Sequence, residues 1–197
     1  MHVIERSFYD RPALDVAREL LGCRLVRLHD GKRLAGRIME TEAYQGEDDL
    51  GCHASAGKTS RNAVMYGPPG HAYIYFTYGM HWLLNAVTSS DGIPAAVLIR
   101  AIHPVEGQAT IAENRPTNAF KSGWTDGPAK LTQALHIKKD FNQVDLCHPE
   151  GGLWIENDDP IPDKFVHRTA RIGLNSVPEP WRSIPWRFFV DQEALDG

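Results

Sequence analysis

Long hydrophobic runs are missing from this chain: no stretch approaches the roughly eighteen apolar residues that a membrane-spanning helix needs. The opening Met1-His2-Val3-Ile4-Glu5-Arg6 also lacks an apolar secretory segment, so the expected location is the cytoplasm. Cysteine is scarce. Cys23, Cys52 and Cys147 are odd in number and far apart, which argues against a disulfide framework and against a paired-cysteine zinc site. A basic excess is lacking too. The formal charge is −4, and domains that grip nucleic acid usually carry a positive balance; a local basic face remains sufficient. Repeats and low-complexity stretches are absent. What remains is a 197-residue chain of ordinary apolar content, 42%, expected to form a single domain over residues 1–197 around one substantial core.

Turn and periodicity signals then divide the chain. Asp10-Arg11-Pro12 starts a helix whose apolar stripe is Ala13, Leu14, Val16, Ala17, Leu20 and Leu21, closed by Gly22. Cys23–Leu28 and Leu34–Tyr44 read as two strands joined around Asp30-Gly31. Residues 45–71 are rich in Gly, Ser, Pro and charge and read as a long loop, a feature that is usually functional. Ala72–Thr77, Trp82–Thr88 and Ala95–Ala101 read as an antiparallel meander. Asp126-Gly127-Pro128 opens another helix, and Leu153–Glu156 and Arg187–Val190 are late strands. The expected class is α+β: a curved antiparallel sheet surrounded by helices, with a protruding β-hairpin.

Two apparent motifs dissolve on inspection. Gly51-Cys52-His53-Ala54-Ser55-Ala56-Gly57-Lys58-Thr59 imitates a phosphate-binding loop, but five residues separate the glycines where the pattern needs four. The Pro68-Pro69 pair also stops any helix that should follow. Nine histidines invite a metal reading, yet none has helical metal-ligand spacing or a neighbouring cysteine pair. No metal is expected, although His53, His71 and His81 could converge in space.

The region richest in chemistry lies between Met39 and Arg100. In a strand, Glu40, Glu42 and Tyr44 share one face and Met39, Thr41 and Ala43 the other. Burial of Met39 and Ala43 would present an acid–acid–aromatic row to solvent or to a cleft. Alone, such a row is most often a solvated face. The residues that follow favour a hydrolytic site, which needs a carboxylate for water, an aromatic surface for a flat substrate and a cation for developing charge. Glu42, Tyr44 and Arg100 fit those parts. Carboxylates two apart on a strand lie roughly 6–7 Å apart, near the spacing of inverting glycoside hydrolases, so an O-glycosidase using Glu40 and Glu42 is the rival enzyme. A non-catalytic DNA or protein binder is the rival of another class. The hairpin tip, Tyr78-Gly79-Met80-His81-Trp82, is aromatic where polar residues normally cap a connection. Its side chains either fold back, form a protein-binding patch, or act as a wedge between stacked bases.

Glu40-Thr41-Glu42-Ala43-Tyr44, the His53 loop, Lys58-Thr59-Ser60-Arg61-Asn62, Tyr75-Phe76-Thr77-Tyr78-Gly79-Met80 with Asn85, Val97-Leu98-Ile99-Arg100-Ala101, Asp126-Gly127-Pro128-Ala129-Lys130-Leu131, Arg168-Thr169-Ala170-Arg171-Ile172-Gly173 and Trp186-Arg187-Phe188-Phe189 occur in this order. The ordered set resembles the mammalian-type alkyladenine (3-methyladenine) DNA glycosylases and their bacterial relatives, over nearly the whole chain. The resemblance implies a base-excision repair enzyme that needs no metal or organic cofactor, flips a damaged purine from double-stranded DNA and hydrolyses its N-glycosidic bond. By position, Glu42 resembles the general base, and Arg100 and the Ile172 carbonyl its partners in holding water. Tyr44 and His53 resemble the residues that sandwich the base, Tyr75 closes the pocket, and Asn85 crowds the exocyclic amine of guanine. Tyr78 corresponds to the inserted side chain, with Met80 and His81 beside it. Lys58 and Arg61 belong to the matching loop, and the helix opening near Lys130 suits a DNA phosphate. His81 stands where mammalian members carry a phenol, so its DNA contact is expected to depend on pH. The missing basic N-terminal extension suggests a prokaryotic, nucleoid-associated protein, and a chain of this size is expected to act as a monomer.

Overall fold

Runs of β-branched and aromatic residues with period-two alternation become the strands of one sheet. The computed structural model describes residues 2–116 and 119–195. Its strands are β1 (Arg24–His29), β2 (Lys32–Gln45), β3 (Ala72–Thr77), β4 (His81–Val87), β5 (Ala95–Glu106), β6 (Leu153–Glu156), β7 (His167–Thr169) and β8 (Arg187–Phe189). The α-helices are α1 (Arg6–Tyr9), α2 (Ala13–Glu19), α3 (Gln108–Asn114) and α4 (Pro128–Ala134). All pairings are antiparallel, in the order β3-β4-β5-β2-β1-β6, with β8 on β2 and β7 on β8. This is the α+β architecture expected, and the β3–β4 hairpin forms one edge of the sheet.

β2 is the spine. Residues 32–37 pair with β1, residues 35–45 with β5, and Glu40-Thr41-Glu42 with β8. Gly36 is required where β2 meets β5, because a Cβ there would stand 2.8 Å from the Ile102 side chain. Besides a shift at Gly36, the register slips twice around Glu40: Ile38 pairs with Ile102, Glu40 with Ala101 and Thr41 with Ile99, leaving Met39 and Arg100 as extra residues. Such bulges re-aim side chains. The expected alternation is therefore corrected. Glu40, Thr41, Glu42 and Ala43 are all buried, while Met39 is only half-buried. On one side α2 covers the strand, and the Thr41 hydroxyl donates to the Ala17 carbonyl at 2.7 Å. On the other, arginines meet the two glutamates.

The main core gathers Tyr9, Leu20, Leu21, Leu25, Leu34, Ile38, Leu84, Ile99, Ile102 and Ile111. A smaller cluster, Cys52, Ala54, Met65, Tyr73, Val87 and Ala96, sits under the long loop. That loop is not structureless: 3₁₀ turns at His53–Ala56 and Ala63–Tyr66 each bury a side chain, Ala54 and Met65. Burial of Met65 alone stabilises by about 1.5–3 kcal/mol, so the loop is a fixed wall. The helix expected after Gly127 is α4, whose Leu131 and Ala134 are buried and whose Thr132 hydroxyl donates to the Trp82 carbonyl at 2.7 Å. No helix among the described residues is long and apolar enough to cross a membrane.

Candidate active site

Glu42 reaches the site from the middle of β2 and is fully buried. Its Oε1 accepts the Ile172 backbone N–H at 2.6 Å. Its Oε2 accepts the Tyr44 hydroxyl at 2.8 Å and lies 3.3 Å from Arg100 Nη1. Two hydrogen bonds, from the Ile172 amide and the Tyr44 hydroxyl, and the Arg100 ion pair thus engage a carboxylate that offers about four lone-pair sites. Burial pushes the carboxyl above the ordinary glutamate range, while Arg100, the Ile172 amide and the Tyr44 hydroxyl pull it down. Burial would lower the Arg100 pKa, yet Glu42 and Glu40 hold it above its usual value. Arg100 is thus a fixed cation. The contact observed for Ile172 is through its N–H, whereas the resemblance gave a role to its carbonyl.

Tyr44, Arg100 and Ile172 also line a cavity of about 350 Å³, together with His53, Tyr75 and Asn85. This is the size of an ordinary small-ligand pocket. Glu42 lies just beneath, bonded to three lining residues. Tyr75 meets His53 edge-on, ring centroids 4.5 Å apart. His53 Nδ1 lies 3.0 Å from the Tyr73 hydroxyl, and burial, with Arg61 nearby, lowers its pKa. The wall is therefore a neutral aromatic surface at neutral pH. Burial, then Glu42, raises Tyr75 to about 12, and burial, then Glu42, holds Tyr44 well above 10, so both phenols keep their protons. Asn85 gives its amide N–H to the Tyr73 carbonyl at 3.0 Å, an acceptor that fixes which way the amide points.

Glu40 takes no part in this cavity. Its carboxylate accepts Arg100 Nε at 2.7 Å and is also bonded by Arg187 Nε, and it lines a separate cavity with Arg187 and Phe189. Arg100 stands between the two acids. A pair of carboxylates flanking one sugar, as an O-glycosidase needs, is not formed.

Tyr78 stands at the hairpin tip, 84% exposed, and Met80 is 67% exposed. These two side chains do not fold back, whereas Trp82 is half-buried and packs on the main core. Tyr78 sits at φ +51° and Gly79 at φ +68°, and the left-handed region is uncommon for a bulky residue. Tyr78 also lines the cavity. Arg61 donates to the Phe76 carbonyl at 3.3 Å and lies 5.5 Å from the Tyr75 ring centroid; Lys58 is exposed, 5.3 Å from the Tyr66 ring. Lys130 is only partly free, because its Nζ donates to the Gly123 carbonyl at 2.9 Å. His71 lies beside Arg6 and Asp145, while His81 is at the hairpin. The two do not join His53, and no cluster of three His, Cys, Asp or Glu among the described residues is spaced to hold a metal ion.

A family model described as methylpurine-DNA glycosylase matches residues 7–194. The chain belongs to the methylpurine-DNA glycosylase family. A protein of Methanocella arvoryzae that carries the 3-methyladenine DNA glycosylase name is 49% identical over 189 residues, 96% of this chain and 92% of its own length. A Carboxydothermus hydrogenoformans protein so named is 46% identical over 190 residues, 95% of each chain. A third, from Myxococcus xanthus, is 45% identical over 190 residues, 96% of this chain and 91% of its own.

This methylpurine-DNA glycosylase family chain also holds site residues that the sequence reading passed over. Asp49 and Arg171 form a wholly buried two-pronged pair, with bonds of 2.5 and 2.7 Å. The Arg171 guanidinium lies 4.7 Å from the Tyr44 ring centroid and donates to the Ala43 carbonyl at 3.0 Å. Asn62 is buried and gives its amide to the His53 and Gly57 carbonyls, at 2.8 and 3.0 Å, fixing the loop that carries His53. Arg187, read as part of a strand, neutralises Glu40 with Arg100. The signal available for these was weak: Asp49 ends the acidic run Glu47-Asp48-Asp49, and Arg171 lies 122 residues further on.

Proposed function

We propose that the protein is a monofunctional DNA N-glycosylase that extrudes alkylated or deaminated purines, such as 3-methyladenine, hypoxanthine or ethenoadenine, and leaves an abasic site for base excision repair. The observation that carries this reading is the juxtaposition of a buried Glu42 held by two hydrogen bonds and an ion pair, an aromatic-walled cavity above it, and an exposed left-handed Tyr78 at the rim. A base inside a duplex is out of reach of a buried carboxylate, so chemistry requires extrusion, and an aromatic wedge fills the gap left behind. In the proposed pose Tyr44 and His53 bracket the flipped base, Tyr75 closes the pocket, and Asn85 crowds the exocyclic amine of guanine. Discrimination against an added group works through such crowding.

A water held by Glu42 and Arg100, with the Ile172 carbonyl as the third partner, adds its oxygen to C1′ and passes a proton to Glu42. The C1′–N bond breaks through an oxocarbenium-like sugar, and its electron pair leaves with the base. A base already cationic departs neutral, whereas a neutral base such as hypoxanthine must take up a proton as it leaves. Arg100 keeps Glu42 ionised against burial and so keeps it competent as a base. For the duplex, His81, Arg115, Lys130, His136 and Lys138 line shallow clefts beside α4 that contain no carboxylate among the described lining residues. Such a face attracts phosphate despite an overall negative charge, and Lys58 and Arg61 extend it past the cavity mouth. In this reading the protein acts as a monomer on double-stranded DNA.

The test is single-turnover incubation of wild type and Glu42→Gln with duplexes carrying one hypoxanthine or one ethenoadenine, and with methylated DNA, followed by alkali to cut abasic sites. Wild type is expected to give lesion-dependent breaks and Glu42→Gln none. Release of no base by wild type would overturn the reading, and equal release by both would remove Glu42 from the chemistry.

A further inference from the structure

We propose that Arg171, clamped by Asp49, is a positioning residue that holds the stacking ring of Tyr44 and the Ile172 amide on Glu42 at the same time; this rests on the glycosylase reading above. Four observations meet on this one side chain. It is completely buried and does not line the cavity, so it touches no base. Its guanidinium lies against the Tyr44 ring, 4.7 Å from the centroid, and 5.1 Å from the Trp186 centroid. It donates to the Ala43 carbonyl, the backbone link between Glu42 and Tyr44. The residue that follows it is Ile172, whose N–H is on Glu42.

Arg171 therefore joins the end of β2 and the adjoining start of the long loop at Asp49 to the distant C-terminal stretch. Gly51 leaves the room that this requires, since a Cβ there would stand 2.8 Å from Arg171 Nη2. A planar fork with two prongs on one carboxylate and a flat face on a ring is a task that lysine cannot reproduce. Arg171 thus ties the Tyr44 ring to the segment that carries the Ile172 amide. If it yields, both hydrogen-bond donors to Glu42, the Tyr44 hydroxyl and the Ile172 amide, lose their places together. Both donors favour the ionised carboxylate, so their loss makes Glu42 harder to ionise. The other groups facing Glu42 stay: Arg100 on β5, Glu40 on its own strand and Tyr75 on β3.

The experiment titrates the Glu42 carboxyl by carbon-13 NMR in glutamate-labelled protein, with Glu42→Gln assigning the resonance. Wild type is compared with Arg171→Lys, Arg171→Gln and Asp49→Asn, each checked for folding by circular dichroism. The midpoint should rise by about one pH unit in Arg171→Gln and Asp49→Asn and by less in Arg171→Lys. The acid limb of the single-turnover rate should move the same way, and the neutral-pH rate should drop by up to about 100-fold, as for a small misplacement. An unchanged Glu42 midpoint in folded variants, or a rate loss equal at every pH, overturns the proposal. Should none of the three variants fold, the pair is a purely structural clamp and the proposal falls. The titration needs no substrate, so an inactive wild type would refute the glycosylase reading without touching this result.

Discussion

Replacing Tyr78 by glycine should separate what the hairpin tip does for the fold from what it does for DNA. The side chain is 84% exposed, so its removal takes almost no packed surface from the protein. Its backbone is at φ +51°, a conformation that costs a side-chain-bearing residue about 1–2 kcal/mol. Glycine relieves that strain but adds about 0.5–1 kcal/mol of freedom to the unfolded chain. The net is a stability change of roughly 0–1.5 kcal/mol in favour of the variant, and about 2–4 °C in Tm per kcal/mol for a chain of this size. On DNA the balance reverses. A stacked aromatic is worth about 1–3 kcal/mol per base, and each 1.4 kcal/mol is about tenfold. Extrusion from duplex should therefore weaken by roughly 5- to 150-fold, while excision from single-stranded DNA, where no stack is vacated, stays near the wild-type rate. Thermal melts and paired single-turnover assays on duplex and single strand measure both halves. A destabilisation beyond about 2 kcal/mol would mean that the ring packs against the protein. Undiminished duplex activity would sink the wedge.

Because burial raises the Glu42 pKa, the acid limb of the single-turnover rate should lie above the ordinary glutamate value of 4.5, activity being lost as pH falls through the folded-state pKa. The same shift acts on stability with a defined sign. Between the unfolded and the folded pKa of Glu42 the folded state binds more protons, so this residue's contribution to stability falls as pH rises through that window. Glu42→Gln should therefore melt above wild type at neutral pH, with the gap closing below about pH 4; a gap that persists there would contradict the assignment. Asn85→Ala should release undamaged guanine at least about tenfold faster than wild type and lower stability by about 1–3 kcal/mol, since the Tyr73 carbonyl loses its donor. Unchanged guanine release would remove Asn85 from selectivity.

The parts of the site that were legible in the sequence are those built by local periodicity. Glu42 and Tyr44 share a strand face, Tyr75 and Asn85 lie on neighbouring strands of a meander, and Arg100 is on the next one, so short-range pattern brings them together. The α+β sheet was legible for the same reason. Elements without a strong pattern were not. α1 has four residues, α3 buries only Ile111 and Ala112, and all three residues of β7 are exposed. β5 continues five residues past Ala101 through Pro104, which reads as a breaker but falls at a register shift opposite Gly36. The two bulges were invisible as well, and they turn Glu40 away from the cavity and Arg100 between the acids. Long-range ion pairs are the largest gap. Nothing local to Asp49 or Arg171 distinguishes a wholly buried pair from two solvated charges.

Putting the proposed general base beneath the pocket, and not in its wall, has a consequence for the whole site. A buried carboxylate without donors takes up a proton at neutral pH. Two hydrogen bonds and one ion pair oppose that pull on Glu42, and they arrive from three places: Tyr44 on its own strand, Arg100 across the β5 bulge, and Ile172 from the C-terminal stretch. Each of those three residues also lines the cavity. On the proposed reading, the groups that favour the ionised base are thus the groups a substrate would touch. A change that reshapes the wall at Tyr44, Arg100 or Ile172 alters the charge state of Glu42, and a base that presses on the wall changes the donors in the same way. Substrate fit and catalytic competence cannot be tuned separately at these three positions. His53, Tyr75 and Asn85 line the cavity without donating to Glu42, so they are the positions where the pocket can change its preference while leaving the chemistry intact.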